Sequence, residues 1–207
     1  MSGRGGFTLV ELLVALAVGG ILFGLLGPSL AAGRKYSAEL EAKADTNTAL
    51  RLAAELLSEE LRLAGSVPWP VPVGLPGVEP DPLAWLAPAL TLTARGPGHA
   101  IGMRAVDHRG AAGLVPRDLT FEVGTDARGE AQLYRRPSGA SKQPLVEQVE
   151  ALRVAWVIDA AGVRLPPYAA DGSRLAALGV EVMVAGVIRE FVVELPSRPL
   201  VSVGALP

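Results

Sequence analysis

The first hydrophobic pattern of the chain is a nearly continuous apolar run close to its start. From Phe7 to Leu26, fifteen of twenty residues are Ala, Val, Ile, Leu or Phe. A helix rises 1.5 Å per residue, so this run reaches about 30 Å, the thickness of a bilayer's hydrocarbon core. The pattern predicts a helix that can span a membrane.

The second pattern is a one-sided apolar stripe that indicates an amphipathic helix from Ser29 to Ala64. Its apolar positions are Leu50, Ala53, Leu57, Leu61 and Ala64. We expect this stripe to pack against a sheet, and Gly65 followed by Pro68 to end the helix. The opposite face carries Glu55, Glu59 and Arg62, which are typical of a solvated surface.

Small and helix-breaking residues separate the two helical halves. Gly24 and Gly27 lower helix propensity, and Pro28 removes a backbone donor and clashes with the preceding turn. The sequence therefore predicts a kink here, at the junction between a membrane segment, residues 7–27, and its amphipathic continuation, residues 28–65. A simple bend at the membrane exit explains the same residues.

A Pro-rich segment follows the helix. Residues 67–88 hold seven prolines and two tryptophans, Trp69 and Trp85, which favours extended structure over helix. An ordered surface loop with its tryptophans tucked onto the domain is favoured over a partner-docking segment. We assign residues 66–118 as a connection and variable region.

The last third of the chain, residues 119–207, shows the strand pattern. Two strands around a GTDARG turn predict a hairpin from Leu119 to Arg136. A long strand is expected from Ala151 to Asp159, and a terminal hairpin turning at Ala185 and Gly186. The predicted fold class is α+β, with a long N-terminal helix packed on an antiparallel sheet.

Composition narrows the functional classes. The chain of 207 residues has a net charge of −2 and no cysteine. Its length allows one membrane helix and one soluble domain. Disulfides, thiol catalysis and thiolate metal sites are excluded, and the charge gives no sign of a protein that coats nucleic acid.

A single carboxylate, Glu11, interrupts the apolar run, and ionised groups in membrane helices usually have a partner or a function. The sequence offers no cation nearby, so we expect the chain to lack a partner for it. A secretory signal peptide explains the run less well, because the run is longer than usual and a disposable segment does not need Glu11. A plain uncleaved anchor leaves its orientation ambiguous, since Arg4 lies on one side and Arg34 and Lys35 on the other.

The segment from Gly6 to Glu11 resembles the class III leader of type IV pilins and of type II secretion pseudopilins. The shared pattern is Gly followed by Phe-Thr-Leu-x-Glu and an apolar helix, and every defined position matches. The resemblance implies that residues 1–6 are a leader, that a prepilin peptidase cuts between Gly6 and Phe7, and that Phe7 is N-methylated. It also implies that Glu11 pairs with the new Phe7 amine of a neighbouring subunit in a filament.

Looser likenesses extend into the globular part, which resembles J-type pseudopilins and PilW-like minor pilins. They lie in the strings AELLSEELRLAG, QLYRR, LVEQVEALRVAWVID, ALGVEVMV and EFVVEL. Where those families close with an Arg-Asn pair, this chain has Leu195 and Pro196.

The resemblance implies a minor subunit that initiates or caps a type IV pilus-like filament, used for adhesion, twitching or DNA uptake. Its implied partners are other minor and major pilins or pseudopilins, the prepilin peptidase, an inner-membrane assembly platform, and the bilayer before assembly. The implied location is the inner membrane, single-pass, with a periplasmic globular domain, and then the filament. A J-type pseudopilin of a type II secretion system is the alternative within this class. A membrane-anchored extracytoplasmic binding module that does not polymerise is the alternative of another class.

Signals for catalysis or cofactors are weak. His99 and His108 match no compact metal motif, and the segment from 96 to 113 that holds them is expected to be loop-like, with both histidines on the surface. Asp126 lies in a turn too sparse in oxygen ligands for calcium. Arg135 and Arg136 are the sole hint of a DNA contact and are more typical of solubilising residues. We predict a protein that is not an enzyme and has no cofactor.

Overall fold

The computed structural model describes residues 8–66, 88–95, 98–108, 114–196 and 201–204, with the side chains of 107, 108 and 114–116 excepted. The chain divides into two units, residues 1–45 and residues 46–207. Within the described part of the first unit the chain is entirely helical beyond Thr8. The second unit holds the end of the helix and all described strands.

One long helix, α1, runs from Leu9–Leu61. Its helical assignment is unbroken through Pro28, so the kink expected at Gly24, Gly27 and Pro28 stays a prediction. A turn follows the helix and closes at Gly65, whose φ of 72° lies in the left-handed region that glycine tolerates. The helix therefore ends at Leu61, three residues before the predicted end at Ala64, and Gly65 closes the turn that follows it.

Ten strands follow the helix in the described residues, numbered here in chain order. They are β1 Leu90–Arg95, β2 Gly98–His108, β3 Leu114–Thr125, β4 Ala131–Pro137, β5 Gln143–Glu147, β6 Val149–Asp159, β7 Arg164–Leu165, β8 Leu175–Val184, β9 Val187–Glu194 and β10 Val201–Val203. A short 3-10 helix spans Pro167–Ala169. The two predicted hairpins are confirmed as β3–β4 and β8–β9, and the predicted long strand as β6.

The strands form two sheets. Sheet A has the order β10-β1-β2-β3-β4-β5, and sheet B has the order β7-β6-β8-β9. Neighbours are antiparallel except for β1 and β10, which pair in parallel. The α+β class with a long N-terminal helix is confirmed, and the parallel pair is a departure from the predicted all-antiparallel arrangement.

The predicted apolar stripe of α1 is confirmed as the helical contribution to the core. Leu57 and Leu61 are fully buried, in one cluster with inward residues of both sheets such as Phe121 and Val180. The opposite residues are exposed, as predicted. Beyond the helix, the Gly65 amide donates to the Arg104 carbonyl at 2.7 Å, which ties the helix end to β2.

The expectation of a loop over residues 96–113 was wrong, because β2 occupies most of it. Close packing explains why this strand begins with a glycine: a Cβ at Gly98 would overlap the carbonyl oxygen of Leu152 in β6. The next residue, His99, accepts a hydrogen bond from the Val154 backbone N–H on its Nδ1, at 2.9 Å. Sheets A and B therefore meet closely at β2 and β6, and glycine is required for that approach.

Candidate assembly site

The first turn of α1 forms a reciprocal hydrogen-bonded cap. The Thr8 backbone N–H donates to Glu11 Oε2 at 2.9 Å, and the Thr8 hydroxyl donates to the same oxygen at 3.1 Å. The Glu11 backbone N–H lies 3.3 Å from Thr8 Oγ1. Threonine at the N-cap with glutamate three residues later is a capping box, which satisfies amides that have no partner within the helix.

This cap corrects the expectation that the chain offers Glu11 no partner. Thr8 supplies two hydrogen-bond donors, and the Thr-x-x-Glu spacing in the sequence is the signal that predicts them. The cap supplies no cation, however. Both donors bind Oε2, and among the described residues Oε1 of Glu11 accepts no hydrogen bond.

The helix that follows the cap exposes its apolar side chains. Phe23 is 80% exposed and Leu9 is 76% exposed, and no residue of the most apolar window is buried within the chain. Of the described helices, α1 is the one long and apolar enough to cross a membrane. The N-terminal helix is therefore consistent with a single-pass membrane anchor.

No neighbouring atom of the described chain requires glycine at four positions of this helix. A Cβ at Gly19, Gly20, Gly24 or Gly27 would meet no heavy atom within 4 Å. Glycine in a helix interior lowers helix stability, by about 1 kcal/mol per residue relative to alanine. Small residues also let helices approach closely in a membrane.

The residues predicted to be processed, Gly6 and Phe7, lie outside the described residues, immediately before the cap. Glu11 is described, and so are Gly24, Gly27 and Pro28. The structure places Glu11 at the helix start beside Thr8, and it places the kink residues farther along the same exposed helix.

The two arginines considered for DNA are both held by carboxylates of this chain. Arg135 Nη1 lies 2.8 Å from Glu60 Oε1, and Arg136 binds the buried carboxylate of Glu122. They point to opposite faces of sheet A, because they are successive residues of one strand. This arrangement gives no support to a DNA contact by these two arginines.

The other weak candidates have structural roles. Asp126 Oδ1 accepts the backbone N–H groups of Arg128 and Glu130 at 2.8 and 2.9 Å, so it caps the β3–β4 turn. His99 is half-buried and accepts a hydrogen bond, so the expectation of a surface histidine was wrong for it. Burial and the nearby Arg153 lower the pKa of His99. Within the described ranges no group of three or more metal-ligating side chains occurs.

One polar cluster was missed by the sequence reasoning. Glu60, on α1, binds Arg117 Nη2 through both oxygens at 3.0 and 2.8 Å, as well as Arg135. The side chains are 17%, 23% and 29% exposed respectively. Glu60 therefore holds the last turn of the helix onto β3 and β4. Its partners lie 57 and 75 residues away, and no local sequence pattern reports such a contact.

Comparison with known proteins identifies the N-terminal segment. The family model described as a prokaryotic N-terminal methylation motif matches residues 1–27. No curated protein and no solved structure matches the chain. The matched segment contains the class III prepilin leader and the exposed apolar run that follows it, so the N-terminal segment is type IV pilin-like.

Proposed function

We propose that this chain is a structural subunit, a minor pilin or pseudopilin that takes part in initiating or capping a type IV pilus-like filament. In this proposal a prepilin peptidase cleaves between Gly6 and Phe7 and methylates the Phe7 amine. The N-terminal helix holds the chain in the inner membrane before assembly, with residues 46–207 in the periplasm. Its partners are other pilins or pseudopilins and the assembly platform.

The observation that carries the proposal is the methylation motif at residues 1–27, which includes an exposed apolar helical run, residues 9–26, with Glu11 as its single carboxylate. An unpaired ion is unfavourable in lipid, so a carboxylate there needs a cation as well as hydrogen bonds. The Thr8 cap leaves that need unmet, because both of its donors are neutral.

Cleavage supplies the missing cation. It creates an amine on Phe7, one residue before Thr8, and leaves the capping pair intact. Glu11 Oε1, which the cap does not use, is then available for the Phe7 amine of an adjacent subunit displaced along the filament. A charged hydrogen bond to an amine is stronger than a neutral one, particularly where water is excluded.

Substitutions at Glu11 separate the charge from the cap. Glu11→Gln keeps an amide oxygen that accepts the Thr8 N–H but removes the negative charge, whereas Glu11→Ala removes both. We expect both variants to insert in the membrane as well as wild type, or better, and both to lose co-purification with partner subunits. Thr8→Val, which removes only the hydroxyl, serves as the matched control and should assemble.

Two results would overturn this role. If Glu11→Gln co-purifies with partners as well as wild type does, Glu11 acts as a helix cap and not as a charge. If Glu11→Ala also assembles normally, the carboxylate has no role in assembly. The partner subunits to test for co-purification are the pilins or pseudopilins encoded by neighbouring genes. A retraction ATPase and competence genes among the neighbouring genes favour a pilus, and a secretin cluster with exoprotein substrates favours the pseudopilin alternative.

The rival from another class is a membrane-anchored binding module that never polymerises. It predicts that the chain keeps its first six residues, because an anchor does not need a free Phe7 amine. The state of the mature N-terminus therefore distinguishes the two functions.

A further inference from the structure

The four outer strands of the two sheets differ in how well their edges are protected. Native proteins blunt sheet edges with short strands, proline or charge, since an open edge pairs with other chains. In sheet A, β10 has three residues, and β5 has five with Pro144 among them. In sheet B, β7 has two residues. The fourth edge, β9, has eight residues without proline, and its protection is limited to the charges of Arg189, Glu190 and Glu194.

The hairpin geometry shows which backbone groups of β9 face outward. Strands β8 and β9 join through a two-residue turn, Ala185 and Gly186, with φ of 49° and 73°. The Leu195 N–H donates to the Ala176 carbonyl at 2.8 Å, so odd-numbered residues of this arm bond to β8. Antiparallel ladders alternate between bonded and non-bonded pairs, and the β8–β9 register has no bulge. The even-numbered residues therefore direct their N–H and C=O groups away from β8.

Those same four residues share one face of sheet B. They are Ile188, Glu190, Val192 and Glu194. Ile188 is 59% exposed and Val192 is 52% exposed. Ile188 borders a depression of about 110 Å³ that is also lined by the apolar Ala151 and Met183 and by the charged Arg153 and Glu181. The outward edge of β9 thus alternates between apolar and acidic side chains, and no described strand pairs with it. Glu190 Oε1 accepts one hydrogen bond, from the Trp156 indole N–H at 2.5 Å.

Charge decides what kind of strand fits this edge. The single basic residue of β9, Arg189, is odd-numbered and lies on the opposite face. When two β9 strands pair around a two-fold axis, Glu190 and Glu194 therefore meet no cation from the second copy. In the register centred on Glu190, that residue faces its own copy, and like charges directly opposite are destabilising. A strand with basic residues at those positions is favoured instead.

We propose that the outer edge of β9 is a docking site for an extended strand of a different protein chain, in which basic and apolar residues alternate on one face. The backbone of that strand bonds the outward groups of the four even-numbered residues. Its apolar side chains cover Ile188 and Val192, and its basic side chains face Glu190 and Glu194. This is the strand-addition mode of recognition. It concerns residues 46–207 alone, so it does not depend on the proposed assembly role of the N-terminus.

The test uses hydrogen exchange detected by NMR on the full chain in detergent micelles. The probe is an acetylated octapeptide, Lys-Thr-Val-Thr-Lys-Thr-Val-Thr, and the control peptide has Glu in place of both Lys. We expect the amides of Ile188, Glu190, Val192 and Glu194 to exchange freely in the chain alone. With the basic peptide their exchange should slow by about tenfold, whereas the acidic peptide should leave it unchanged.

Two variants test the backbone and the side chains separately. Val192→Pro removes an N–H group that points outward and breaks no hydrogen bond to β8. Edge strands tolerate proline at such outward-facing positions. This variant should abolish the protection of the remaining amides by the basic peptide. Val192→Thr keeps the N–H and the branched shape and should retain it. Ile188→Lys leaves every backbone group in place and should weaken protection by placing a cation against the basic peptide, which keeps the test decisive if the proline variant does not fold.

Three results would overturn the proposal. Protection of the four amides in the chain alone, independent of concentration, means that this chain covers its own edge. Protection that grows with protein concentration means that a second copy is the occupant. Equal effects of the two peptides, or none, mean that charge does not select the strand.

Discussion

Removing the Glu60 carboxylate should weaken the attachment of α1 to sheet A. Its oxygens make three contacts of 2.8 to 3.0 Å with Arg117 and Arg135. Exposed ion pairs contribute about 0–1 kcal/mol, and breaking a fully buried pair costs about 3–5 kcal/mol. These side chains are 17–29% exposed, so we expect Glu60→Ala to lower the free energy of unfolding by about 1–3 kcal/mol.

Glu59→Ala is the matched control, because Glu59 is the exposed neighbour on the same helical turn. It should change the free energy of unfolding by no more than about 0.5 kcal/mol. Urea unfolding of the full chain in detergent, followed by circular dichroism in the strand region, measures both. With a urea slope of about 1–3 kcal/mol per molar, the Glu60→Ala midpoint should fall by about 1 M. Equal midpoints for the two variants would refute the reasoning.

Two further predictions concern the sheets. The pKa of His99 is lower in the folded chain than its unfolded value of about 6.5. At a pH between the two pKa values, the unfolded state binds more protons than the folded state. The free energy of unfolding therefore falls as the pH falls through this window. His99→Asn, whose side-chain oxygen accepts the Val154 N–H at every pH, should flatten this part of the urea-midpoint profile; an unchanged slope would show that His99 does not contribute to it. Gly179→Val should displace Trp156, because a Cβ at Gly179 would overlap the indole ring. We expect a loss of about 1–3 kcal/mol and a red-shifted tryptophan emission, and an unchanged spectrum would contradict that contact.

Periodic patterns predicted the elements whose burial follows a local repeat. The stripe from Leu50 to Ala64 buries helically spaced apolar residues and strand β8 buries alternate ones, so a short window contains their signal. Strand β2 was missed because Gly98 and Gly102 are common in loops. Here each glycine faces a close neighbour: a Cβ at Gly98 would overlap the Leu152 carbonyl, and one at Gly102 would overlap the Thr91 hydroxyl.

The residues of the candidate site also separate into those that a local sequence pattern predicts and those that only the fold brings together. The leader pattern and Glu11 are contiguous, so the sequence alone predicts them, and the family model at residues 1–27 supports the leader pattern. The Thr8 cap was equally readable from the Thr-x-x-Glu spacing. The Glu60 cluster depends on where β3 and β4 pass the helix end, which only the fold determines. The outward groups of β9 depend likewise on strand order, which remained open in the sequence.

The most direct test of the central claim is mass spectrometry of the N-terminus of the chain isolated from membranes that contain the prepilin peptidase. We expect a mature chain that begins at Phe7 with one methyl group on its amine. Gly6→Val should abolish this processing, and Gly5→Val, one residue away, should affect it far less. A chain that retains residues 1–6 while it co-purifies with partner subunits would contradict the account.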